Sequence, residues 1–373
     1  MELTRLRSQG SSDEFLLNVG PQHPATHGVL RVVVLMDGEV VKELQPHLGY
    51  VHRGMEKLLE NRTYEQIIPF TDRTDYLSAI ANNFAYVMAV EKLLGMEVPA
   101  KVQYMRVIAA ELNRIASHLL WLAAYGLDMG AFTPFLYAFR DREEIGAMIE
   151  EASGGRLTTN YFRIGGFTRD LPPGFFARLS KFLARFGTSV NELDTLLVEN
   201  AIFVARTRGV GAIGAERAIS YGLTGPCLRA CGAERDVRRD APYSLYPQLA
   251  FDLPTGKNGD TWDRSWVRIE EMRQSLRILR QAMDGFPEGE FRVRAPRTIE
   301  PPPGEVYTAV EGPRGEVGFY IVSDGTRKPY RIKMRSPSYS NFSALPEILH
   351  GLKIADLVAV MGSLDLVVPE MDR

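Results

Sequence analysis

Between residues 102 and 122 the apolar side chains recur at helical spacing: Val102, Met105, Ile108, Ala109, Leu112, Ile115, Ala116, Leu119 and Leu122. Steps of three and four line one face of a 3.6-residue helix, so this stretch predicts a long amphipathic helix. Pro99 suits its start and Gly126 its end. Similar patterns over 85–94, 137–151, 174–197 and 266–283 predict further members of a bundle. Toward both ends of the chain the period shortens to two. FLLNVG, VLRVVVLM and EVVKEL read as strands, and Asp37-Gly38 between the last two is a hairpin signal. After the proline-rich run at 296–305, EVYTAV, GEVGFYIV and PYRIKMR predict antiparallel strands with a turn at SDG near residue 324. Two short helices follow near Leu345 and Ile354. The expected fold class is α+β, a helical bundle flanked by a small β portion built from both ends of the chain. The expected division is a β-hairpin region over 1–50, a bundle core over 51–295 and a β/α region over 296–373.

Composition narrows the function. The 373 residues, 45% hydrophobic and 24% charged, suffice for a substantial core. A net charge of −2 argues against a nucleic-acid partner. Two cysteines make no disulfide framework and point to a reducing compartment. The polar start MELTRLRSQGSSDE lacks the apolar core of a signal peptide. No run reaches the roughly 18 apolar residues that span a bilayer, so membrane contact is expected to be peripheral.

Candidate chemistry is sparse. His23 and His27 lie four apart in GPQHPATHG, but Pro21 and Pro24 make this a turn or loop rather than a zinc-binding helix. Cys227 and Cys231 form a C-x3-C pair without a second pair, which reads as two buried thiols. The glycine-rich GGF, RGVGAIG and TGKNGD match no phosphate loop, and RGVGAIG reads as a turn packed against its neighbours. Glu111, Arg114 and His118 share one stripe of an apolar helix and should satisfy one another or a partner. Asp128, among Leu127, Met129, Phe132 and Phe135, needs a donor; a histidine is a natural one, and helix capping is the alternative. Tyr76 in DRTDYLS begins an apolar helical run, where its ring could simply pack.

Taken in order, GPQHPATHGVLR, PHLGYVHRGMEKLLENRTY, DRTDY, AVEKLLG, ELNRIASHLLWL, TPFLYAFRDRE, NYFRIGG, GLTGPCLRACG and IVSDG resemble the D, or 49 kDa, subunit family of the NADH:quinone oxidoreductase, respiratory complex I. The resemblance runs from about Val19 to Arg373 and implies the fold of the nickel–iron hydrogenase large subunit. That hydrogenase chain holds its metal with two C-x2-C pairs. Their positions fall here on Asp75 and Ser78, and on Val367 and Glu370, which offer no soft thiolate ligands. The resemblance therefore implies no metal and no cofactor on this chain, and a quinone site in the emptied pocket. It places the quinone headgroup on His27 and Tyr76, with His23 shaping the loop and Asp128 partnering His27. Arg53 matches an arginine beside the terminal iron–sulfur cluster of the neighbouring B subunit. Further implied are the C, H and I subunits as partners, NADH as donor to the whole translocase, and a peripheral place on the cytoplasmic side of the bacterial membrane. Ferredoxin- or F420-fed relatives use a similar subunit, and an assembly scaffold is the non-catalytic alternative. The chain departs from the family pattern in one place, where a longer helix-containing insert is absent before PxGEVY.

Overall fold

The computed structural model describes residues 2–5, 14–23, 28–293, 296 and 298–373, with the backbone alone for 2–5. Strands β1 (Glu2–Arg5), β2 (Glu14–Val19), β3 (Arg31–Asp37) and β4 (Val40–His47) pair antiparallel in that order. In β3 the alternation sends Val32, Val34 and Met36 inward, and Asp37 meets Val40 across the anticipated hairpin.

Helices α1 (Met55–Leu59), α2 (Tyr64–Thr71), α3 (Ala79–Leu94), α4 (Ala100–Asp128) and α5 (Phe132–Ser153) follow. A capping box between Thr63 and Gln66 starts α2, and Gly95 in the left-handed region ends α3. Every apolar position that predicted α4 is buried. The expected stop at Gly126 is wrong: α4 runs to Asp128. Gly126 lies inside it, its carbonyl accepting from Ala131 N at 2.7 Å, and a Cβ there would come within 3.2 Å of Ala131 O. The glycine makes room for the chain to fold back into α5 instead of ending the helix.

The hairpin β5 (Phe162–Arg163) and β6 (Gly166–Phe167) leads to α6 (Phe175–Leu193), which runs into a π-helical turn, Asp194–Val198. Four short helices were not anticipated: α7 (Ala201–Thr207), α8 (Ala215–Ser220), α9 (Gly225–Arg229) and α10 (Val237–Asp240). None is long enough to display a helical period. RGVGAIG is the packed turn expected, since Gly211 has φ +61° and a Cβ there would meet Val360 Cγ2 at 2.6 Å. The charged α11 (Thr261–Asp284) completes the bundle. Strands β7 (Gly304–Gly312), β8 (Gly315–Ser323) and β9 (Arg331–Arg335) form an antiparallel meander, followed by α12 (Pro337–Ser343), α13 (Leu345–Leu349), α14 (Ile354–Leu364) and α15 (Val368–Met371).

The fold is α+β, but the two ends do not build one β portion. Their sheets are separate and belong to different cores. The β7–β9 sheet packs on the bundle with α3 and α4, whereas α12–α15 close against β2–β4. The last helices are thereby carried across the molecule, and they assemble the site. Among the described residues no helix is long and apolar enough to cross a membrane.

Candidate functional site

Tyr76 sits in the turn between α2 and α3, not in the helix itself, because α3 starts at Ala79. Its neighbour Asp75 is buried and ties the turn that leads into α3: one carboxylate oxygen accepts from Leu77 N and Ser78 N, both at 3.1 Å. Tyr76 remains 36% exposed and lines a shallow pocket of about 50 Å³ with Leu77, Asn113, Ala116, Arg142 and Thr159. Burial raises the pKa of its phenol above the ordinary value, with the Arg314 charge opposing, so at neutral pH it is a neutral donor. A pocket this small holds a water or two, not a ring.

The segment of Asp75 and the C-terminal segment of Asp365 meet at an arginine. Arg314, at the tip of the β7–β8 hairpin, donates from Nη1 to Asp75 Oδ2 at 2.7 Å, from Nε to Asp365 O at 3.0 Å and from Nη2 to Asp365 Oδ1 at 3.3 Å. Glu370 accepts from Ser338 N at 3.2 Å, and burial, then the nearby Asp75 charge, push its carboxyl up to about 7. Val367 N reaches Ser338 Oγ, and Ser78 Oγ donates to Asn113 Oδ1. An ion cluster thus occupies the space between the two loops. Among the described residues no group of three or more His, Cys, Asp or Glu could hold a metal ion.

The C-terminal segment also gathers the other candidates. Asp128, half-buried at the end of α4, places Oδ2 within 3.7 Å of where a Cβ on Gly362 would sit. Tyr125 one turn earlier donates to Ala359 O at 2.9 Å, and Trp121 to Gly362 O at 2.8 Å. Gly28 abuts Val368, whose Cγ2 lies 2.7 Å from the position of a Cβ on Gly28. His27 lies outside the described residues. Asp372 accepts from Gly49 N and Val51 N, anchoring the loop of Arg53. Arg53 is exposed and donates to the carbonyl of Arg73, close in sequence to Tyr76. Sequence reasoning missed Arg314 and Asp365; the only signal was an arginine in a two-residue connection, GPRG, between apolar strands.

A family model described as the 49 kDa subunit of respiratory-chain NADH dehydrogenase matches residues 128–373. The chain belongs to that family. The NADH-quinone oxidoreductase D subunit of Dehalococcoides mccartyi (strain ATCC BAA-2266 / KCTC 15142 / 195) is 53% identical over 363 residues, covering 97% of this chain and 99% of the relative. The D subunit of Desulforamulus reducens is 51% identical over 361 residues, with the same coverage. The D subunit of Geotalea uraniireducens is 48% identical, and its alignment spans 388 residues at 97% of this chain, so that relative is longer. As a member of the 49 kDa family, the chain is a component of an oxidoreductase complex.

The polar stripe on α4 belongs to a second buried network in this 49 kDa-family chain. Arg114 contacts Glu111 at 3.3 Å and donates to the carbonyls of Glu311 and Gly312. His118 Nε2 lies 2.9 Å from Glu271, and burial lowers the imidazole pKa, so the ring is neutral. Glu271 in turn meets Arg229 at 2.6 Å, Arg229 meets Glu311 at 2.9 Å, and Arg238 joins Asp236 to Glu111. Four carboxylates (Glu111, Asp236, Glu271, Glu311) therefore face three guanidiniums (Arg114, Arg229, Arg238). The excess negative charge falls on Glu311, at the floor of an open cleft of about 820 Å³ that neither Tyr76 nor Asp128 lines. Burial and the neighbouring Asp236 charge push Glu311 up to about 7, against Arg229, Arg238 and Arg114. Its folded pKa lies above the ordinary 4.5, so the folded chain binds the extra proton. That stability is complete below about pH 4.5 and is lost as pH rises through 7. Glu311→Gln has no proton to lose. The variant should flatten the fall in unfolding free energy between about pH 4.5 and 7, and urea unfolding across that range measures the difference. Parallel slopes for the two proteins would show that Glu311 does not titrate there.

Proposed function

We propose that this chain forms the quinone-reduction site of a proton-translocating NADH:quinone oxidoreductase, together with the iron–sulfur B subunit. The observation that supports this reading is the partly exposed, neutral phenol of Tyr76 in a pocket too small to enclose a ligand, next to the Asp75–Arg314 ion pair. A donor left half open at a shallow surface suits a headgroup sandwiched between two protein chains. Electrons reach the quinone from a cluster held by the B subunit, and Arg53, exposed and bonded to the Arg73 carbonyl in the α2–α3 turn, supplies positive charge toward that cluster. Each two-electron reduction also takes two protons. His27, oriented by Asp128, supplies a proton to one carbonyl oxygen, and the Tyr76 hydroxyl donates a hydrogen bond to the other, whose proton comes from solvent water. Asp128 beside an imidazole favours its protonated form, so loss of that proton leaves the carboxylate without a cationic partner. We infer that this charge change contributes to signalling toward the membrane-embedded H subunit, with the C and I subunits completing the peripheral arm on the cytoplasmic side of the membrane.

Asp128→Asn tests this reading in the assembled complex. Quinone reduction should fall about tenfold or more, in keeping with loss of a positioned acid, while NADH oxidation by an artificial acceptor is unchanged. Wild-type quinone turnover in both Asp128→Asn and His27→Ala would overturn it.

A further inference from the structure

The β7–β8 connection is only Pro313-Arg314, and it is held on every side. Gly315 has φ +127°, and a Cβ there would come within 2.4 Å of Thr224 Cγ2, so the tip lies directly against Thr224 and Gly225. Thr224 Oγ1 accepts from Glu316 N at 3.1 Å, and Asn341 links the two segments by donating to Arg314 O at 3.1 Å and accepting from Thr224 N at 3.0 Å. The side chain of Arg314 is 1% exposed and therefore leaves a fixed base in a fixed direction. It reaches two segments distant in sequence. One is Asp75, whose other oxygen holds the amides of Leu77 and Ser78 on the far side of Tyr76; the second is Asp365, two residues before Val367. Tyr76 is thus flanked by Asp75, which Arg314 holds, and by Leu77 and Ser78, whose amides Asp75 holds and which Asn113 ties at the Leu77 carbonyl and the Ser78 hydroxyl.

We propose that Arg314 is a positioning residue for the quinone site, fixing the Asp75–Leu77 turn that presents Tyr76 and placing a permanent positive charge beside the phenol. The inference rests on the reading that Tyr76 contacts the quinone. The planar fork serves Asp75 Oδ2, Asp365 O and Asp365 Oδ1 from three separate nitrogens in fixed directions; an ammonium keeps the charge but gathers its three donors on one nitrogen and cannot reproduce that geometry. The charge also acts on the chemistry, because the carbonyl oxygen facing Tyr76 becomes more negative as electrons arrive.

The test uses the assembled complex carrying Arg314→Lys, Arg314→Gln or the pair Asp75→Asn/Arg314→Gln. Quinone reduction is measured with a short-tailed, water-soluble quinone and normalised to NADH oxidation by an artificial acceptor. Arg314→Lys keeps the charge and loses the geometry, so KM should rise about threefold to tenfold with a smaller fall in kcat. Arg314→Gln also loses the charge, and kcat should fall about tenfold as well. If Arg314→Gln fails to assemble, the paired variant removes both partners of the ion pair and should keep the raised KM. A purely structural role predicts less assembled complex with wild-type KM and kcat per complex, and that result in Arg314→Lys and the paired variant overturns the proposal. Tyr76→Phe is measured alongside. Normal turnover there would sink the quinone reading itself, whereas slowed Tyr76→Phe with normal Arg314 variants would sink only the role of Arg314.

Discussion

Replacing Tyr76 by phenylalanine should slow quinone reduction about tenfold or more while the complex still assembles and still oxidises NADH with an artificial acceptor. Phenylalanine keeps the ring against Leu77, Asn113 and Ala116 and removes only the hydroxyl. Among the described residues that hydroxyl makes no hydrogen bond within the chain, so its loss leaves no buried partner unsatisfied. The fold should hardly notice the change. The chemistry should, because burial keeps the phenol protonated and a quinone oxygen becomes a far better acceptor as it gains electrons. A hydrogen bond that strengthens toward the transition state is worth roughly 1.5–3 kcal/mol, which is a factor of ten or more in rate. Tyr76→Trp should be worse, since its bulk obstructs a pocket of about 50 Å³. If Tyr76 were only a packing residue, alanine would lower stability and phenylalanine would reduce quinone at the normal rate. Turnover of assembled Tyr76→Phe with short- and long-tailed quinones separates these outcomes.

What could be read in the sequence depended on the distance over which each feature is specified. The α4 helix was legible because its pattern repeats locally over nine apolar positions, all of them buried. Asp37-Gly38 fixed the β3–β4 hairpin by the same local logic. Gly126 misled because a glycine can end a helix or make room for a neighbour, and the neighbour at Ala131 is visible only in three dimensions. The short helices α7–α10 carry no period to detect. The site divides in the same way. Tyr76, Asp128 and Arg53 stand in recognisable motifs, but the groups that hold Tyr76 in place do not. Arg314 pairs with Asp75 across 239 residues, and His118 found Glu271 across 153. A stripe of polar residues on α4 announced that partners must exist, since unpaired burial would be costly, but nothing in the stripe named them. The separation of the two sheets was illegible for a related reason: α12–α15 cross to the N-terminal sheet, and no local pattern encodes that crossing.

Arg229→Met should have the largest effect on the fold, removing about 3–5 kcal/mol or more of stability and leaving little folded chain at 37 °C. Arg229 is fully buried on α9 and joins three acidic partners. Its Nε and Nη2 hold Glu271 Oε1 at 3.0 and 2.6 Å, and Nη1 holds Glu311 at 2.9 Å, Asp236 at 3.3 Å and the Arg235 carbonyl at 2.7 Å. Methionine fills much of the volume but leaves these oxygens in a dry interior. Asp236 keeps Arg238, and Glu311 can take a proton near neutral pH, so neither decides the outcome. Glu271 decides it. Burial alone would raise its pKa, yet Arg229 first and His118 second hold it well below the ordinary carboxylate range. Without Arg229 it keeps only the neutral imidazole of His118 as a direct partner, with the Arg114 charge acting from farther away, and it must either stay charged without an ion pair or take up a proton. Both courses are unfavourable at pH 7, and the loss is a large part of the roughly 5–15 kcal/mol that holds a domain together. The paired variant Arg229→Met/Glu271→Gln removes the stranded charge together with its partner and should recover a substantial part of the loss, because a buried ion pair replaced whole is often tolerated. Urea unfolding of the full chain at pH 7 reads both numbers. A loss below about 1 kcal/mol for Arg229→Met, or no recovery in the paired variant, would mean that Glu271 finds compensation elsewhere and that the network does not hold α4, α9 and α11 together.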